Sequence, residues 1–166
     1  MEIRIFYPAS YLPHKNHKQL IKAAFQIYKE IPEIKFILTI KKDIYNVLPP
    51  NISCIGNISR KRVINLMKKS DALIFLSSFE SLGIPLIEAA NVDLPIIVPQ
   101  LPYALELLGS NAYYLDIEKD FQTSLKEVLK KFKKDLSLKK VINSSIQPKI
   151  ISTDSLLKIF INILKN

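Results

Sequence analysis

Short β-branched runs alternate along the chain with stretches of helical period. "EIRIFYP" (2–8) reads as a first strand, and "HKQLIKAAFQIYKEI" (17–31) as a helix with apolar positions Leu20, Ile21, Ala24, Phe25, Ile27 and Tyr28. Asn16 stands at its N-cap position and Pro32 follows its end. "IKFILTI" (34–40) and "NISCIG" (51–56) predict two more strands, the latter after the loop signal "LPPN"; Ser59 then caps a helix through about Lys69. "DALIFLS" (71–77) is the most continuously apolar run, as a strand buried on both faces requires. "IPLIEAAN" (84–91) predicts a short helix with Pro85 in its first turn, where a missing N–H costs little. A strand at 95–99, a helix at 103–109 stopped by Gly109 and a strand at 112–116 follow. Two or three helices complete the chain, the last being "TDSLLKIFINIL" with Thr153 as its cap.

This alternation, with no internal repeat, predicts an α/β fold: a Rossmann-like three-layer α/β/α domain around a parallel sheet of about six strands. Ligands of such folds bind at the carboxyl ends of the strands, near the topological switch point. The loops to search are therefore 8–16, 41–50, 56–60, 77–84 and 99–102.

The chain's 166 residues suffice for one domain with a real core. Cys54 stands alone, which excludes a disulfide framework and a Cys-rich metal site and points to a reduced, cytoplasmic setting. No stretch approaches the ~20 apolar residues of a membrane span, and "MEIRIFYP" lacks the basic start of a signal peptide. The formal charge is +9, but only Arg4, Arg60 and Arg62 are arginines. The densest basic run, "KEVLKKFKKDLSLKK", alternates with Val128, Leu129, Phe132 and Leu136, as an amphipathic helix with a solvated lysine face does. That reading argues against nucleic acid as a partner. It leaves open a peripheral contact with anionic lipid at the inner face of the membrane, where each lysine is worth about 1 kcal/mol.

The segment "SSFESLGIPLIE" (77–88) contains Gly83, one of only three glycines in the chain, between Glu80 and Glu88. A glycine lets another molecule approach the backbone, and a following helix N-terminus attracts anions. A carboxylate accepts hydrogen bonds from neighbouring sugar hydroxyls. The set suits a ligand with both phosphate and hydroxyls, such as a nucleotide sugar. From spacing alone the better reading is two glutamates that merely favour a helix N-terminus, since such pairs are common.

In context the segment resembles the signature of the GT-B retaining glycosyltransferase family 4 (glycosyl transferases group 1), whose two glutamates are likewise separated by seven residues. "PHKNHKQLIKA", "CIGNISRKRVINLMKKSDALIFLS" and "NVDLPIIVPQLPYALELLG" resemble, in order, the lysine-bearing loop, the glycine-helix-strand segment and the strand-to-loop step of that family's C-terminal donor-binding domain. The resemblance runs from about Glu2 to Phe132 and is specific as a set.

It implies that Lys15 sits on the donor diphosphate and that Glu80 contacts the transferred sugar, stabilising positive charge near the anomeric carbon. These two would be the catalytic residues. Glu88 would hold the ribose hydroxyls, the backbone at Gly83 and Ile84 would meet phosphate or sugar, and Gly56, Asn57 and Ile58, with Lys41, would flank the base. No metal and no cofactor besides the donor is implied. Transfer would retain configuration, the leaving phosphate helping to deprotonate a glycan or lipid-linked acceptor in cell-envelope polysaccharide synthesis.

Two departures bear on this. The family's arginine shortly before the lysine is absent from "PASYLPHK"; Ser10 stands near its place, with His14 as an ordinary surface histidine. "AANVDLP" also has Asn or Asp where glycine is preferred. The larger matter is length. Residues 1–166 correspond to one nucleotide-sugar-binding domain, the C-terminal half of a GT-B enzyme, without the N-terminal acceptor domain. Such a half implies an excised domain or an acceptor-domain partner chain, with little transfer by itself. A dinucleotide oxidoreductase is excluded by the lack of G-x-G-x-x-G after the first strand, and an α/β-hydrolase by the lack of G-x-S-x-G. The rival from another class is a non-catalytic glycosyltransferase-like scaffold or regulator.

Overall fold

The computed structural model describes residues 2–146. Six strands, β1 (Ile3–Tyr7), β2 (Ile34–Leu38), β3 (Ile52–Cys54), β4 (Ala72–Ile74), β5 (Ile96–Pro99) and β6 (Tyr113–Leu115), form one parallel sheet in the order β3-β2-β1-β4-β5-β6. Register places Ile5 opposite Phe36 on one side and Ala72 on the other, and Ile74 opposite Ile97. Chain order reverses direction between β1 and β4, which makes that seam the switch point.

The helices are α1 (His17–Glu30), α2 (Arg60–Met67), α3 (Ile84–Ala90), α4 (Pro102–Leu108) and α5 (Phe121–Ser137). Right-handed crossovers put α1 on one face and α2 to α4 on the other. The packing agrees, with α1 against α5 and α2 against α3. Strand β4 is buried on both faces, which is why its residues read as a continuous apolar run, and β1 is buried except at Arg4. Phe6, Phe36, Phe75, Leu20, Ile27 and Phe132 are among the largest fully buried side chains.

Several local expectations change. The strand expected over 71–77 pairs only at Ala72–Ile74. The exit from the strand is gradual: Phe75 still donates its N–H to the Ile97 carbonyl, and Leu76 and Ser77 stay buried but begin the loop at the switch point. The lysine face of α5 is not simply solvated: Lys126 and Lys130 both reach Glu30 at 3.1 Å, and Lys133 pairs with Glu33, tying α5 to the end of α1 and the turn after it. Ser59 and Asp120 cap α2 and α5 through the N–H groups of Arg62 and Thr123. The expected final helix capped by Thr153 lies outside the described residues.

His17 opens α1 and is buried, its ring stacked on Tyr7 at 4.7 Å and 20°. Neither ring nitrogen makes a hydrogen bond; the Ala9 backbone nearby favours the charged form but falls short of bonding geometry. Burial first, and then the Lys15 charge, pull its pKa from 6.5 down to about 4. The unfolded chain therefore takes up a proton near pH 6.5 that the folded chain refuses until about pH 4. Stability is full above that window and falls as pH is lowered through it. The expected loss between pH 7.5 and pH 5 is about 2 kcal/mol. His17→Phe should flatten this part of the stability–pH curve in urea titrations, and an unchanged slope would remove His17 as its source.

Candidate functional site

The carboxyl ends of β1 and β4 carry two loops joined by several bonds. After β1 the chain makes a 3-10 turn, Pro13–Lys15, and enters α1 through Asn16 at φ 55°. Asn16 occupies the N-cap position, but its side chain does not cap. Its amide donates to the Leu76 carbonyl at 2.7 Å and to Ser78 Oγ at 2.8 Å, both in the loop after β4. Ser78 N–H donates to the His14 carbonyl at 2.8 Å, and the His14 ring stacks on Phe79 at 4.5 Å. His14 is thus part of the seam rather than an isolated surface group.

On this frame Lys15 and Glu80, 65 positions apart in sequence, form an ion pair. Their side chains are 13% and 16% exposed, so the pair is held among protein atoms rather than in water. The buried Tyr7 hydroxyl donates to the Lys15 carbonyl, and the Lys15 ammonium lies 4.9 Å from the centre of the Phe75 ring. Tyr103, from α4, donates to the Ser77 carbonyl at 2.7 Å. Burial, and after it the charge of Glu80, pushes the Tyr103 hydroxyl well above its ordinary pKa, keeping it a donor.

Gly83 precedes α3 with φ 62°. It is buried, and a Cβ there would lie 3.1 Å from Leu86 Cδ1 and 3.8 Å from Leu107 Cδ2. The glycine is needed for its left-handed backbone and for packing against α3 and α4; its bare side faces the core, not an incoming molecule. Pro85 has no N–H, and Leu86 and Ile87 already donate to the Gly83 carbonyl, so the anion-binding capacity of this seven-residue helix narrows to the N–H groups of Gly83 and Ile84. Gly83→Ala should cost about 2 kcal/mol through the left-handed conformation and the Leu86 contact, lowering the melting temperature by about 4–8 °C. An unchanged melting temperature with loss of ligand binding would restore the close-approach role.

Ser10 and Asn57, both exposed, line one cleft of about 260 Å³ with Pro8, Ala9, Thr39, Ile58 and Val63, at the carboxyl ends of β1 to β3. Gly56, at φ 72°, turns the chain beside it, with open space where a Cβ would point. Lys41 is exposed in the loop after β2. Glu88, on α3, does not join the Lys15–Glu80 pair. It accepts from Arg60 Nε at 2.9 Å, across the α2–α3 packing. Arg60 was missed by the sequence reading because nothing in its local pattern points to a residue 28 positions away. A second cavity, of about 290 Å³, opens on the α1–α5 side between Asn16, Ser78, Leu101, Ile117 and Ser124. Among the described residues no cluster of His, Cys, Asp and Glu is arranged to hold a metal, and no helix is long and apolar enough to cross a membrane.

Residues 1–146 match the family described as glycosyl transferases group 1. Over 118 residues the chain is 30% identical to the serotype-specific mannosyltransferase WbdA of Escherichia coli, a match covering 64% of this chain and 14% of that protein. It is 26% identical over 125 residues to the O-antigen chain mannosyltransferase RfbU of Salmonella typhimurium, covering 70% of this chain and 35% of the relative. The chain therefore spans well under half the length of these relatives. HepE of Anabaena, solved in complex with UDP and glucose, superposes with a TM-score of 0.70 at 18% identity over 85% of this chain and 41% of that one. The C-terminal domain of the group 1 protein LpcC from Francisella tularensis gives 0.67 at 18% identity, over 84% and 80% of the two chains.

Proposed function

The chain belongs to the glycosyl transferases group 1 family, and from that premise we propose that it binds the nucleoside-diphosphate sugar of a retaining hexosyl transfer, as the donor half of a two-domain enzyme. The observation that carries this reading is the Lys15–Glu80 pair at the switch point, where an open α/β sheet receives its ligands. The base lies against the loop of Gly56, Asn57 and Ile58, the ribose at Glu88, and the diphosphate reaches Lys15 beside Ser10. Phosphate oxygens compete with Glu80 for the ammonium, and the carboxylate so released turns to the sugar. Lys15 then balances charge growing on the leaving group, while Glu80 holds the sugar and favours positive charge at its anomeric carbon. Catalysis of this kind is positioning and electrostatics, with no metal required.

Several large apolar side chains, Tyr11, Leu12, Phe79 and Ile117 in the loops and Ile84 at the start of α3, are exposed at this same end of the sheet. Their position supports a covering acceptor domain, in this chain's full protein or in a partner. That WbdA and RfbU are mannosyltransferases, and that HepE was solved with UDP and glucose, supports a hexose as the transferred group and an envelope polysaccharide as product. One observation favours the rival scaffold reading: Ser10, exposed and uncharged, stands where a phosphate-binding arginine is expected.

The test is a thermal-shift series with UDP, GDP, ADP and their sugar conjugates at low salt in the presence of chelator. A rise in melting temperature with one nucleoside diphosphate is expected and names the base. No rise with any of them would leave the scaffold reading in its place.

A further inference from the structure

We propose that Arg60 is a positioning residue for Glu88, holding the carboxylate in the orientation that receives the ribose hydroxyls; this rests on the donor reading above. Glu88 has only 11% of its side chain exposed, so its oxygens take their hydrogen bonds from protein or ligand rather than from bulk water. Arg60 supplies one at 2.9 Å, Nε to Oε1. Arg60 is the first residue of α2, whose start is fixed by the Ser59 cap, and Glu88 lies on the adjoining α3. Both ends of the pair are therefore mounted on rigid elements.

A guanidinium is planar and permanently charged, so its bond selects one rotamer of the carboxylate. Pairing through Oε1 leaves the other oxygen with its acceptor capacity for neighbouring hydroxyls. The same short segment that walls the cleft at Asn57 and Ile58 thus also sets the direction of the glutamate. A simple clamp between α2 and α3 would hold the helices together without affecting how a ligand's hydroxyls are read.

The experiment is calorimetric titration of UDP, GDP and ADP and of their deoxyribose counterparts into the wild-type chain, Arg60→Met and Arg60→Lys, with melting curves of each ligand-free protein. Arg60→Met keeps the apolar stem and removes the charge. It is expected to reduce the preference for ribose over deoxyribose about tenfold, with affinity for the deoxy form little changed. Arg60→Lys should restore part of the preference while lacking the planar fork. An unchanged preference in a folded Arg60→Met protein overturns the proposal and leaves the donor reading standing. If Arg60→Met does not fold but Arg60→Lys does, a wild-type preference that Glu88→Gln also retains overturns it. A wild-type chain that binds none of the three nucleotides overturns the donor reading and this inference with it.

Discussion

Lys15→Ala is expected to lower affinity for a nucleoside diphosphate about ten- to a hundredfold and to leave affinity for the matching nucleoside nearly unchanged. The asymmetry follows from where the charge sits. The Lys15 carbonyl is bonded by Tyr7, its ammonium rests over Phe75, and its side chain is 13% exposed, so little conformational freedom is lost when phosphate arrives. An ordinary surface lysine on a flexible stem would contribute far less. Because the truncation also leaves Glu80 without its cation, the comparison is made in a Glu80→Gln background as well. Equal losses for nucleoside and diphosphate, in both backgrounds, would take Lys15 out of the phosphate role.

Phe75→Ala should be the most destabilising change at the site, by about 3–5 kcal/mol, lowering the melting temperature by roughly 10 °C. Phe75 is 1% exposed, meets Tyr7 edge-on at 6.2 Å, and supports Lys15 from below. Its N–H donates to the Ile97 carbonyl at 2.9 Å, so the residue sits where the core ends and the site loop begins. Phe75→Leu refills most of the volume and should cost about 1 kcal/mol. Urea denaturation of the two variants checks this. A loss under 1 kcal/mol for Phe75→Ala would mean that the loop after β4 is held by its hydrogen bonds alone.

Much of the fold was legible along the chain because each element carries its own signal. The alternation of β1, α1 and β2 is written in local apolar periods, and the doubly buried β4 shows as an unbroken apolar run, so element type and order follow without tertiary information. The cap at Ser59 behaves as local chemistry dictates. Asn16 does not: its backbone is left-handed (φ 55°) rather than extended, and its amide N–H groups are turned across the seam to Leu76 and Ser78. The end of β4 falls earlier than the apolar run for a related reason: Phe75 keeps one bond to Ile97, while Leu76 and Ser77 are buried like strand residues without being part of the strand.

Legible along the chain were the layered α/β class, the lack of a dinucleotide turn, and the set of chemically capable groups: Lys15, Glu80, Gly83 and Glu88. Their types are fixed by covalent identity, and their neighbourhoods by periods of two and 3.6 residues. Which of them meet follows from how the strands and helices pack. Strand order 3-2-1-4-5-6 brings residues 65 positions apart into the Lys15–Glu80 pair, and the packing of α2 on α3 gives Glu88 to Arg60 rather than to Lys15. The fold also turns the bare side of Gly83 toward Leu86. Contacts of this kind depend on crossover handedness and helix packing, which no local window of sequence contains.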